Sequence, residues 1–325
     1  MITLRLSIFS LLLLLSPISS ANNQQVPPLV ETSWLSENLD NVVILDVRAD
    51  NKSFTSKPIY KTNKKTNKQS LARVGGHIHG ANLVLYKNVR GEQKIGENTI
   101  KYMTTSKTNF ESIVQHAGAN QDSHIVILTN AESLFDLTMA SRMYWQVKYF
   151  GHDLVSILNG GTAQWLLDGR EITTNPTNST IGNWKALSER KQLLATSNQV
   201  HTAIQENNSQ LVDVREIGQY LGTYKSGKVK QKGHIPSAKL FPVSLLSSRN
   251  TPVKFSSKEE LENLSKALGV NSKQDLITYC NSGHLASGGW FVFHELLNNS
   301  KAKLYDGSMH QWTLEGRPVV TMKIE

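Results

Sequence analysis

Short apolar runs alternate along this chain with longer stretches whose apolar residues recur at helical spacing. Residues 42–47 (VVILDV), 125–128, 211–214 and 276–279 are of the first kind, with the length and apolar content of buried strands. Residues 134–149 and 258–268 are of the second kind. From about Ser287 onward Trp290, Phe293, Leu296 and Leu297 repeat the helical spacing. Regular alternation of strand and helix predicts α/β domains, each a mainly parallel sheet with helices on both faces. In such sheets reactive sites lie beyond the carboxyl ends of the strands.

The pattern is used twice. The strand at 42–47 is followed by Arg48 as that at 211–214 is followed by Arg215. Gly76-His77-Ile78-His79-Gly80-Ala81 matches Gly233-His234-Ile235-Pro236-Ser237-Ala238. The strand at 125–128 matches that at 276–279. Asn159-Gly160-Gly161, Gln164-Trp165 and Asp168-Gly169-Arg170 match Asp306-Gly307, Gln311-Trp312 and Glu315-Gly316-Arg317. Four landmarks in one order mark two copies of a domain. The copies are placed at residues 27–175 and 196–325, joined by a polar linker at 176–195.

Residues 1–21 have the form of a secretory signal: Arg5, a leucine-rich core, then Pro17 and the small residues Ser19-Ser20-Ala21 for cleavage. The core is too short for a membrane span. The mature chain is therefore expected to be periplasmic or secreted, with no stable membrane anchor. A composition 39% hydrophobic and 19% charged belongs to a globular chain rather than a disordered one. The net charge of +9 invites an anionic partner. Yet the densest basic run, residues 57–73, has Tyr60 as its single aromatic residue, and it reads as a solvated surface insertion, with no nucleic-acid contact. Small anionic substrates still gain from the field.

Cys280 is the only cysteine, so no internal disulfide is available to it. It stands at the end of the strand at 276–279, ahead of the small, polar loop Asn281, Ser282, Gly283, His284 and Leu285. Such a loop can turn successive backbone N–H groups toward one sulfur atom. A free thiol with pKa ~8.5 is largely protonated at neutral pH. Lowering that value by about two units takes roughly 2.7 kcal/mol; a helix N-terminus supplies up to ~2 kcal/mol, and loop amides supply the rest. The usual fate of a free cysteine is burial as a small hydrophobe, but a glycine-bearing polar loop is a poor place for one. The first copy carries Thr129-Asn130-Ala131-Glu132 at the matching place, which leaves the chemistry to the second copy and gives the first a wall of the cleft. A cysteine phosphatase or arsenate reductase loop needs an arginine six residues after the nucleophile, where Ala286 stands.

In combination, the LDVR and VDVRE strands, the GHI-x-[GS]-A turns, the cysteine loop of the second copy and the G-x3-QW-x3-GR endings resemble the tandem-domain rhodaneses, the thiosulfate and mercaptopyruvate sulfurtransferases. The resemblance covers nearly all of the mature chain and implies two tandem rhodanese-like domains. It implies that Cys280 takes a sulfane sulfur from a small anionic donor, holds it as a persulfide and passes it to a thiol or cyanide acceptor. No metal or organic cofactor is implied. Arg215 matches an arginine that grips the donor's carboxylate or sulfonate-like group, and His77 with Ser282 matches a proton relay. Asp213, at the end of the same strand as Arg215, is expected to orient the loop. His284, with an ordinary pKa ~6.5, is a candidate source of charge or of a proton near neutral pH. The loop is nearer the mercaptopyruvate kind, yet a second substrate arginine of that subgroup is replaced by Leu221 ahead of Gly222. The alternative is a sulfur carrier, or a thiol redox or binding protein without turnover, on the same scaffold.

Overall fold

The computed structural model describes residues 26–248 and 250–322. The secretory signal read at residues 1–21 lies outside them. Among the described residues no helix is long and apolar enough to cross a membrane.

The first half runs β1 (Leu29–Val30), α1 (Thr32–Glu37), β2 (Val42–Arg48), α2 (Lys52–Thr55), the hairpin β3 (Ile59–Thr62) and β4 (Gln69–Arg73), and β5 (Asn82–Leu85). A second hairpin follows, β6 (Arg90–Ile95) and β7 (Asn98–Thr104), then α3 (Lys107–His116), β8 (His124–Leu128), α4 (Leu134–Tyr149), β9 (Val155–Leu158) and α5 (Gly161–Leu167). Its sheet is parallel, in the order β1-β9-β8-β2-β5. The second half runs α6 (Ser197–Glu206), β10 (Gln210–Asp213), α7 (Ile217–Leu221), β11 (Lys239–Leu240), α8 (Lys258–Ala267), β12 (Leu276–Tyr279), α9 (His284–Phe291), β13 (Ala302–Leu304) and α10 (Ser308–Leu314). Its sheet is parallel too, in the order β11-β10-β12-β13. The order β9-β8-β2-β5 of the first half thus reappears as β13-β12-β10-β11, so the repeated sequence landmarks are a repeated topology.

β8 is buried from Ile125 to Leu128 and β12 throughout, because helices cover their sheets on both faces. The longest helix, α4, starts with a capping box between Ser133 and Asp136 that satisfies its first amides. Twelve of its sixteen residues are buried, more than one apolar face explains. It packs on the first sheet and also along α9 of the second half. Small residues permit the approach: a Cβ on Gly288 would meet Thr138 Cγ2 at 2.8 Å. One apolar core consequently runs through both halves, from Ile125 and Ile127 to Trp290 and Phe291.

Two expectations about loops come out differently. Residues 57–73 are exposed, as a solvated insertion should be, but they pair as the hairpin β3–β4. Residues 176–195 are not a free tether. Trp184 is fully buried with its ring 5.8 Å from that of Phe110, and its backbone N–H donates to the Ala119 carbonyl at 3.1 Å. The connection is therefore fastened along the first half, since an indole of that size gains more from burial than from solvent.

Candidate active site

β12 ends at Tyr279 and Cys280 follows at once. The helical spacing predicts α9 from about Ser287, but the helix starts at His284, so His284 and Leu285 belong to its first turn. The early start comes from Gly283, which sits at φ +74° as the residue before the helix. A Cβ there would lie 2.3 Å from Asp306 Oδ1 and 2.6 Å from the Asp306 carbonyl oxygen, so no other residue fits without movement.

The turn is gathered from below by one hydroxyl. Ser308 Oγ accepts the N–H of Cys280 at 3.0 Å and that of Gly283 at 3.1 Å, and donates to the Tyr305 carbonyl at 2.8 Å. Ser308 holds φ +51°, a conformation unusual for serine. Its place in the first half belongs to Gly161, at φ +49°. There the amides of Thr162 and Ala163 donate to Thr129 and Asn130, as those of Met309 and His310 donate to Cys280 and Asn281. The two halves share this backbone, and the second adds a hydroxyl at a cost in strain.

All four carbonyls from Cys280 to Gly283 find donors outside the loop. Cys280 accepts from Met309 N–H (3.0 Å) and Asn281 from His310 N–H (2.8 Å). Ser282 accepts from Arg90 Nη2 and Gly283 from Arg142 Nη1 (3.4 Å), both arginines belonging to the first half. Arg142 also donates two buried hydrogen bonds to the Asp306 carboxylate, at 2.5 and 3.0 Å, while Thr104 N–H donates to Asp306 at 2.7 Å. With its carbonyls turned outward, the loop is left with the N–H groups of Asn281, Ser282, His284 and Leu285 unpaired among the described residues.

Above the loop is a cavity of 530 Å³ between the halves, with Cys280 in its wall. The second half contributes Asn281, Ser282, His284, Leu285 and Lys228; the first contributes Tyr86, Arg90, Lys101, Tyr102 and Phe135. The expected wall from the first half is present. Cys280 is only 1% exposed, and this cavity is the face it presents.

His284 does not supply charge. Burial first, then the cations Arg90, Arg142 and Lys228, hold its pKa well below the ordinary histidine value. Its ring is bonded at both nitrogens, Nδ1 to the Tyr86 hydroxyl and Nε2 to Thr138 Oγ1 at 2.7 Å, and stacks on Phe135 at 4.4 Å. Thr138 directs its own hydrogen to the Leu134 carbonyl at 2.9 Å, so Nε2 carries the imidazole hydrogen and Nδ1 accepts from Tyr86. Burial pushes the Tyr86 phenol up to about 12. The expectation that His284 acts as a cation or acid is corrected: it is a neutral brace across the two halves.

Arg215 and His77, unlike His284, are not in the cavity wall. Arg215 is 1% exposed, its guanidinium bonded to Asp213 at 2.6 Å and to the Gly233 carbonyl at 2.8 Å. The cysteine-free half repeats this: Arg48 bonds Asp46 at 2.6 Å and the Gly76 carbonyl at 2.9 Å. An arrangement present in both copies serves the fold, and Arg215 as substrate binder is corrected on that ground. Asp213 is likewise committed to Arg215, accepting its backbone N–H at 3.0 Å, and makes no bond to the Cys280 loop. His77 is fully buried, stacked on Phe54 at 3.6 Å and bonded to the Phe54 carbonyl. His234 does the same with Tyr220, at 3.8 Å. Burial lowers the pKa of His77, and with its ring nitrogens bonded to the Phe54 carbonyl and Thr177 Oγ1, outside the cavity wall, it makes no bond to Ser282, so the expected relay is corrected. Ser282 itself is buried in the wall, its Oγ accepting from Arg90 at 3.3 Å. Asn281 donates to Gln219 Oε1 at 2.8 Å.

The side chains that sequence reasoning missed are Arg90, Arg142, Lys228 and Ser308. Arg142 had a signal, a charge inside the otherwise apolar face of residues 134–149. Ser308 had another, as the difference from Gly161 within a repeated landmark. Arg90 and Lys228 lie in stretches without periodicity and gave none.

Rhodanese-like domains match residues 31–168 and 196–315. A protein of Saccharopolyspora erythraea, provisionally named a thiosulfate sulfurtransferase, is 30% identical over 300 residues, covering 90% of this chain and 95% of that one. The sulfur carrier protein TtuD of Thermus thermophilus is 33% identical over 190 residues, 55% of this chain and 66% of that one. Among solved structures, the 3-mercaptopyruvate sulfurtransferase SseA of Escherichia coli shares the fold, with TM-score 0.67 and 22% identity over 87% of this chain and 99% of that one. EanB, in a form carrying a cysteine persulfide with ergothioneine, superposes with TM-score 0.73 at 18% identity over 91% of this chain and 71% of that one. With one such domain in each half, the chain belongs to the rhodanese family.

Proposed function

We propose that this protein is a sulfurtransferase that takes a sulfane sulfur from a small anionic donor onto Cys280 and passes it to a thiophilic acceptor. One observation carries the reading: Cys280 faces the cavity at the start of α9, in a turn whose carbonyls are all drawn away from the unpaired amides. Such amides stabilise a thiolate and then the terminal sulfur of a persulfide. In the first step Cys280 Sγ attacks the sulfane sulfur and an S–S bond forms. The donor's bond to that sulfur breaks, and the leaving group departs with the electron pair; from thiosulfate it is sulfite. In the second step an acceptor thiolate or cyanide attacks the outer sulfur, takes it, and returns Cys280 as thiolate. No outside oxidant or reductant enters.

Thiosulfate is the donor this site favours over 3-mercaptopyruvate. Sulfite leaves without needing a proton, whereas the enolate released from mercaptopyruvate must be protonated at carbon. The nearby imidazole and phenol are neutral and bonded to each other, so neither is a ready acid. The relatives' names agree with a thiosulfate donor. A carrier without turnover is the second reading, favoured by the similarity to TtuD.

The test is the mass of the Cys280 peptide after exposure to thiosulfate, paired with steady-state turnover to cyanide and a thiol. One added sulfur atom with turnover, both absent in Cys280→Ser, is the expected result. Added sulfur without turnover establishes the carrier. A Cys280 peptide that gains nothing from any donor removes both.

A further inference from the structure

The cavity between the halves holds more positive charge than its surroundings balance. The Arg90 guanidinium carbon lies 5.2 Å from the centre of the Tyr102 ring, and the Lys228 ammonium lies 4.4 Å from the same centre. Two cations therefore share one aromatic ring, which compensates each of them only in part. Arg90 bonds the Tyr102 and Ser282 carbonyls through Nε and Nη2, while Nη1 has no partner among the described residues. The Lys228 ammonium has neither hydrogen bond nor ion pair among them. The carboxylates at hand are engaged elsewhere, Asp306 by Arg142 and Glu92 by Lys101 at 3.7 Å.

The excess registers on neighbouring groups. Burial and then Arg90 lower the pKa of Lys228. His310, whose ring lies 5.9 Å from Tyr102, is held neutral by burial and then by Lys228, Lys101 and Lys230. Like charges kept this close without a counter-ion repel each other, and an anion entering between them relieves the repulsion.

We propose that Arg90 and Lys228, one from each half, form the binding site for the donor's oxyanion in place of Arg215. The site takes a compact sulfane donor with two negative charges, of which thiosulfate is the simplest. This rests on the reading that Cys280 accepts a sulfane sulfur, since both cations line the same cavity as that cysteine. The guanidinium offers Nη1 as a directed donor and the ammonium a mobile point charge. A monoanion fills one of the two positions.

The test compares thiosulfate with the monoanionic donor methanethiosulfonate in the wild type, Lys228→Met, Arg90→Met and Arg90→Lys, with sulfur uptake on Cys280 followed by mass. Lys228→Met is the cleaner variant, because its side chain holds nothing else. It should raise the KM for thiosulfate roughly tenfold, leave kcat within about twofold, and raise the methanethiosulfonate KM distinctly less. Saturating thiosulfate should still load Cys280. Arg90→Lys should keep part of the affinity that Arg90→Met loses. An unchanged thiosulfate KM in Lys228→Met and Arg90→Met overturns the proposal while loading of Cys280 stands. So does an equal rise for both donors. Failure of the wild type to take up sulfur overturns the sulfurtransferase reading and the anion site together.

Discussion

At the scale of single residues, the copies act as each other's controls. Arg215 and Arg48 make the same buried bridge, each to an aspartate two residues before it and a glycine carbonyl. Arg215→Ala should therefore destabilise the protein by about 3–5 kcal/mol, the consequence of leaving Asp213 buried and unpaired. In the molecules that remain folded the donor KM should not change, and denaturant unfolding beside steady-state kinetics checks both halves of that statement. Ser308 differs from its counterpart Gly161 only by what a hydroxyl can hold. Ser308→Gly should relieve about 1–3 kcal/mol of backbone strain while removing three hydrogen bonds. Thermal stability should shift little and turnover should fall; an unchanged kcat would show that the turn needs no such anchor. Lys228 gives a pH dependence of definite sign. Its proton is lost at lower pH than an ordinary lysine's, owing to burial and then to Arg90, with Arg90, Tyr102, His310 and Cys280 as the groups facing it. As pH rises toward the ordinary lysine range the cation disappears and the thiosulfate KM should rise early. His310 and His284, already neutral, add nothing to that rise. Lys228→Arg should flatten the profile.

At the scale of elements, the reactive turn is held by its neighbours. The hairpin β6–β7 carries Arg90 at its start and fastens its end to Asp306 through the Thr104 amide. α4 delivers Arg142 to the same carboxylate. Arg142 and Asp306 form a fully buried pair across the halves, and its attraction offsets the desolvation of both ions only while both are present. Arg142→Met should cost about 3–5 kcal/mol and loosen the Gly283 carbonyl, and adding Asp306→Asn to it should recover part of the loss. A double-mutant cycle by chemical denaturation measures that coupling. The strands β2, β8, β10 and β12 and the helix α4 were legible from apolar spacing, because a buried element must be apolar wherever it meets the core. The start of α9 was not, since one left-handed glycine moved it three residues forward.

At the scale of the whole molecule, the halves are not independent. α4 is buried on two sides and packs along α9, and one apolar core passes through both sheets. Equilibrium unfolding should therefore show one cooperative transition by every probe. Two separated transitions would mean that the shared core contributes little. Sequence by itself determined the duplication, the parallel α/β architecture and the lone cysteine at a strand end. Those follow from local periodicity and repeated landmarks, which each stretch of chain carries within itself. Tertiary structure alone decided which charges reach that cysteine. Arg90, Arg142 and Lys228 are far from Cys280 along the chain and come together only when the halves close on each other. Arg215, in the same half as Cys280, is drawn into the fold by Asp213. Proximity of that kind depends on how two sheets pack, and no spacing within either copy encodes it.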